Sequence, residues 1–116
     1  MPRNMSFAIT TLQVQNRSKD VTRRFGWWFL KPGDVVNVVE KAQGLKKGEK
    51  LKRLGQIRIK SVRREPLNAI TAEDVAREGF PDWCPEQFVD MLVQHNKVEP
   101  TKHCNRIEFE YLEEAA

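Results

Sequence analysis

Gln56 to Arg63 alternates apolar and cationic residues, and no other stretch narrows the fold as much. Ile57 and Ile59 share one face of an extended segment, and Arg58 and Lys60 share the other. A strand written this way needs a sheet with one covered face and one wet face. The alternation changes phase at Ser61-Val62, which predicts a bulge or the strand's end. Val35 to Glu40 is nearly all β-branched, which predicts a central strand buried on both faces. Asn105 to Tyr111 predicts a final strand, with Ile107, Phe109 and Tyr111 inward and Arg106, Glu108 and Glu110 outward. Ser6 to Val14 reads as the first strand. Its apolar residues change parity between Ile9 and Leu12, so a bulge is expected there. Val21 to Arg24 is short enough to be a helical turn or a bent strand.

Two helices are expected between these strands. Thr71 can cap the first, with Asp74 returning the hydrogen bond and Ile70 and Val75 forming a hydrophobic staple. Gly79 ends that helix after barely two turns. The second runs from Cys84 to His95 with Pro85 in its first turn. Phe88, Met91, Leu92 and His95 fall on one stripe that should face the sheet. Lys41 to Gly55 is rich in Gly and Lys and reads as an exposed loop. The expected fold class is therefore α+β, mainly β, in one domain over residues 5–112 with a short acidic tail at 113–116.

The chain of 116 residues carries 20 Lys plus Arg against 16 acids, a net charge of +4. Ten of those cations and one acid, Glu49, lie between Lys41 and Arg64, so the rest of the chain is net acidic. This imbalance suits a polyanionic partner. Cys84 stands alone and His103-Cys104 are adjacent, so no metal-ligand spacing is present and neither metal nor cofactor is expected. Cys84 is expected to be a half-buried thiol. Two cysteines make no disulfide framework, and no apolar run is long enough for a leader or a bilayer span. No membrane partner is expected, and a cytoplasmic protein is.

The chemistry concentrates between Lys19 and Asp34. Lys19, Arg23, Arg24 and Lys31 can hold phosphate or carboxylate, and Trp27 and Trp28 offer faces on which a base can stack. In an extended segment neighbouring side chains point oppositely, so at least one tryptophan should be exposed. Lys31-Pro32-Gly33-Asp34 predicts a tight turn. Arg58, Lys60 and Arg63 add cations on the wet face of their strand. Glu78 lies beside a helix C-terminus, where a negative charge is unfavourable, so an ion pair to Arg23 or Arg24 is expected.

Lys-x-x-Thr-Arg-Arg at 19–24, an aromatic loop, Lys-Pro-Gly-Asp-Val at 31–35 and Ile-Thr-x-Glu-Asp-x-x-x-Glu-Gly-Phe at 70–80 together resemble an ASCH (activating signal cointegrator homology) domain. The resemblance covers about Phe7 to Tyr111. It implies a small PUA-like β-barrel with two short helices, and it implies RNA or a modified nucleobase or nucleoside as partner. It also implies that the Lys19-to-Arg24 and Glu78 segments flank one cleft. One bacterial group within this family removes the acetyl group of 4-acetylcytidine. Lys19, Thr22 and Glu78 match its Lys, Thr and Glu, whereas Asp20 stands where those enzymes carry Thr. By that likeness Thr22 would attack an acyl carbon, Lys19 would take its proton and Glu78 would serve as acid or base. Binding of RNA or a modified base is thus the first expectation. A small amidohydrolase or ribonuclease using Lys19, Thr22 and Glu78 is the second, and a protein-interaction domain with a tryptophan patch is the third.

Overall fold

A computed structural model of the protein describes residues 3–40, 48 and 53–112. Most of the expected Lys41–Gly55 loop and the 113–116 tail lie outside the described residues. Five strands form one mixed sheet: β1 (Asn4–Ser6), β2 (Val21–Arg24), β3 (Val35–Val39), β4 (Arg53–Pro66) and β5 (His103–Leu112), in the order β1-β3-β4-β5-β2. β1 runs parallel to β3, and the other neighbours are antiparallel. The strands do not close on one another, because β1 and β2 are the two edges. The fold is α+β, mainly β, with an open sheet.

β4 and β5 carry the alternation through. Ile57, Ile59, Ile107 and Phe109 are buried, and Arg58, Lys60 and Glu110 are exposed. The register shifts between Ile59 and Ser61, where the phase changes, and the strand then continues to Pro66. β3 buries Val36, Val38 and Val39 but leaves Val35 and Asn37 half-buried, so it is covered less evenly than its composition predicts.

The first expected strand is replaced by two elements. β1 ends at Ser6, and a single helical turn, α1 (Thr11–Gln15), follows. The change of parity is the reason. Phe7 and Val14 are buried while Ile9 and Leu12 are exposed, a pattern that no single strand face contains. Thr11 Oγ1 donates to the Phe7 carbonyl at 2.8 Å, and the Val14 N–H bonds the Thr10 carbonyl at 3.0 Å. A hydroxyl able to bond its own backbone favours this local turn over a ladder.

α2 (Ala72–Arg77) and α3 (Pro85–Asn96) match the two expected helices, so α1 makes three α-helices among the described residues. Thr71 caps α2 by accepting from the Asp74 N–H at 3.2 Å. Asp74 returns no such bond, because its carboxylate is taken by two arginines. Gly79 follows with φ +102°, and a β-carbon there would lie 2.4 Å from Gln13 Cγ. Only glycine lets α1 pack this closely on the exit of α2. α3 buries Phe88, Val89 and Leu92. Met91 is half-buried, and His95, expected on that stripe, is exposed at the last turn.

The apolar interior has two parts. One lies on the sheet around Phe7, Val36, Ile57 and Phe109, and the other joins Leu67, Ile70 and Val75 to α3. Ile70 and Val75 share the second, as a hydrophobic staple requires.

Candidate functional site

Lys19 and the β2 residues Thr22, Arg23 and Arg24 line a cleft of about 300 Å³ at the edge of the sheet. Glu78 reaches it from the end of α2, Trp27 from the loop after β2, and His95 from α3. Phe7, Phe25 and Leu92 supply apolar wall. The structure therefore brings together Lys19, Thr22 and Glu78, together with Arg23, Arg24 and Trp27. It does not bring in the other expected residues, which lie on the surface outside the cleft.

Under the cleft lies a cluster of ion pairs. Lys19 and Glu78 are almost wholly buried, and Lys19 Nζ donates to Glu78 Oε1 at 2.5 Å and to the Glu78 carbonyl at 3.3 Å. Arg23 Nη1 donates to Glu78 Oε2 at 3.1 Å, so the expected ion pair to Glu78 forms through Arg23. Arg23 Nη2 donates to Asp74 Oδ2 at 2.6 Å and to Glu65 Oε1 at 3.0 Å. Arg106 grips Asp74 with two bonds, Nε to Oδ2 at 2.7 Å and Nη2 to Oδ1 at 3.1 Å. Arg106 takes the face expected of it but is buried there rather than exposed, because Asp74 of α2 presents a carboxylate to it. Such clusters tolerate burial only when each charge has partners.

The cluster shapes the acidity of its members. Hydrogen bonds from Arg106 above all, with Arg23 adding, hold the Asp74 carboxyl well below the usual carboxylate range against the opposing effect of burial. Burial lowers the Lys19 ammonium below the ordinary lysine value, and Glu78 opposes that shift. Arg24 is pulled down to about 10 by burial. It remains cationic at neutral pH. Its Nε donates to Thr22 Oγ1 at 3.2 Å, and its guanidinium stacks 4.5 Å over the Phe7 ring.

β5 holds the frame in place. The Asn105 side-chain oxygen accepts from the Trp27 N–H at 2.9 Å, which fixes the cleft's aromatic rim. The Tyr111 hydroxyl donates to the Lys19 carbonyl. Neither residue, nor Glu65, Asp74, Phe7 or Arg106, is a site candidate from sequence. Their contacts depend on strand pairing across the whole chain. The one available signal, an acid placed against a helix dipole, concerns Glu78 alone.

The remaining candidates are displayed outward. Lys31 is exposed in the expected turn, where the Asp34 N–H bonds the Lys31 carbonyl at 3.1 Å and Gly33 has φ +94°. Arg58 pairs with Glu110 at 3.3 Å, Lys60 with Glu108 at 3.4 Å and Arg63 with Glu65 at 3.4 Å. Trp28 is 48% exposed under the guanidinium of Arg64, while Trp27 is half-buried. Cys84, expected to be half-buried, is exposed at the start of α3, and burial pushes the Cys104 thiol up to about 11.

No family model matches this chain, and no curated protein sequence matches it. Solved structures do share its fold. Protein EF3133 from Enterococcus faecalis V583, described as a DUF984 protein, superimposes with a TM-score of 0.67 at 16% identity, over 97% of this chain and 80% of that one. Hypothetical protein PH0355 gives a TM-score of 0.68 at 16% identity, over 97% of this chain and 100% of that one. At this identity the likeness establishes the fold alone.

Proposed function

We propose that the protein is an ASCH-like domain, its open sheet a variant of the PUA-like barrel, that binds a modified nucleobase or nucleoside in the cleft beside β2. One observation carries this reading. Lys19, Thr22, Arg24 and Glu78 meet in a single cleft of about 300 Å³ whose rim includes Trp27. That volume is at the small end of ligand pockets and fits one base with its sugar rather than a duplex. Polar groups below and aromatic surface beside them are what a planar, hydrogen-bonding ring requires. The paired cations of β4 do not border the cleft, so the reading rests on the cleft rather than on the basic strand.

The test is calorimetric titration with cytidine, 4-acetylcytidine and adenosine. Saturable binding of at least one is expected. Trp27→Ala should weaken it by about tenfold or more, since a stacked base contributes about 1–3 kcal/mol. Absence of saturable binding by every nucleoside tested would overturn the reading.

A second reading, amide hydrolysis, draws on the state of Lys19 and Thr22. Burial lowers the Lys19 ammonium below the ordinary lysine value, which eases the loss of the proton that a base at this position must first give up. The Arg24 N–H already donates to Thr22 Oγ1 and would stabilise negative charge developing there. Thr22 oxygen would bond the acyl carbon as the C–N bond breaks. Its proton would pass by way of Lys19 to the leaving amine, and water would then release the acyl group. Thr22→Ala separates the readings: binding survives in both, and release of acetate from 4-acetylcytidine, followed by chromatography, ends only if this chemistry operates. Turnover should also rise with pH, on a limb lying below the value of about 10.4 for free lysine.

A further inference from the structure

The cations of the cleft are not equivalent. Lys19 touches Glu78, Arg23 touches Glu65, Asp74 and Glu78, and Arg106, behind the cleft, touches Asp74, Glu65 and Glu108. Among the described residues Arg24 touches no carboxylate. Its contacts there are the Thr22 hydroxyl at Nε and the face of Phe7. Among those residues no acceptor takes the N–H groups of its two terminal nitrogens. Among the described residues Glu78 is the single carboxylate lining the cleft, and both of its oxygens are already engaged by Lys19 and Arg23. Arg24 is therefore the arginine lining the cleft whose terminal donors are to spare.

Arg24 is half-buried, and Glu78 lies near enough to favour its charge without taking either terminal nitrogen. The planar fork of terminal N–H groups matches two oxygens of a phosphate or a carboxylate. Phe7 stacks beneath the plane and leaves the edges open, which holds the fork's direction. The neighbouring Arg23 lacks this freedom, since both its terminal nitrogens are bound to carboxylates.

We infer that the cleft's natural occupant carries an anionic group, a phosphate in the first instance, seated on the terminal nitrogens of Arg24. The inference rests on the proposed base-binding function and narrows it: the ligand is a nucleotide rather than a neutral nucleoside. Arg24 is then a specificity determinant that selects charge. Trp27 and the polar floor select the ring.

The experiment is calorimetric titration of the native protein with cytidine 5′-monophosphate, cytidine and inorganic phosphate, repeated on Arg24→Gln and Arg24→Lys. The monophosphate should bind about 10- to 100-fold more tightly than the nucleoside, the worth of charge-assisted hydrogen bonds. Arg24→Gln should remove that advantage, so that monophosphate and nucleoside bind alike, and Arg24→Lys should keep part of it. Equal affinities for monophosphate and nucleoside in the native protein overturn the inference and leave base binding intact. Phosphate binding that depends on Arg24, with no binding of cytidine, sustains the inference and overturns the base reading. Silence with all three ligands overturns both. The native comparison stands by itself if Arg24→Gln does not fold, which its thermal unfolding curve reports.

Discussion

Two regions of this molecule use the same residue types to opposite ends. On β4 and β5, Arg58 pairs with Glu110 and Lys60 with Glu108, with the cationic side chains about half in water. Under the cleft, Lys19, Arg23 and Arg106 pair with Glu78, Asp74 and Glu65 with almost no water. The exposed pairs sit in high dielectric and contribute little. In the buried cluster the desolvation of each charge has to be offset by its partner, so the geometry tolerates no vacancy. The difference teaches that a count of basic residues does not locate a basic site. The richest cationic alternation in the chain yields paired surface groups. Arg24, whose terminal donors open on the cleft, comes from a motif of two adjacent arginines that look interchangeable.

The contrast is broken most severely at Asp74. Asp74→Ala leaves Arg23 and Arg106 facing each other's charge with one acceptor removed. It should lower stability by about 3–5 kcal/mol, as removal of one partner from a buried pair does, read by urea denaturation. The same carboxyl gives an acid signature. Its folded value lies below its unfolded value of about 3.9, so its stabilisation is complete above the latter and is lost as pH falls through the former. The native protein should therefore destabilise steeply below about pH 4, and Asp74→Asn should flatten that limb. At the other end of the scale, Arg58→Ala should change stability by about 0–1 kcal/mol, with most of the effect gone in high salt. A large loss at Arg58, or a small one at Asp74, would remove the distinction between the two regions.

The legible parts of the sequence were those whose physics is local. The alternation in β4 and β5, the cap at Thr71, the stop at Gly79 and the turn at Lys31–Asp34 each follow from residues within one turn or one strand. The grouping of Lys19, Thr22 and Glu78 came from the resemblance to an ASCH domain, and the helix dipole alone placed Glu78 against an arginine. It misread Ser6–Val14, where a single hydroxyl, Thr11, tips the backbone into a turn. It also misread Arg106, because the alternation of β5 says which face a residue takes and not what covers that face. Nothing local distinguishes Arg23 from Arg24. Their roles diverge only because cross-strand pairing sets Arg23 opposite Arg106, beneath α2, and turns Arg24 to the Phe7 side.

β2 has β5 as its single neighbour in the sheet, and Val21 pairs with Glu108 across most of the chain. During synthesis, β5 is the last of the described strands to emerge. Until it arrives, Asp74 lacks Arg106, the Lys19 carbonyl lacks Tyr111 and Trp27 lacks Asn105. The charges of the cleft thus stay hydrated through the early stages of folding and are desolvated only when their partners come with the closing strand. Contacts so distant in sequence make that step slow. They also tie ligand binding to the finished chain, so a small molecule that fills the cleft would act as a reporter of completed folding.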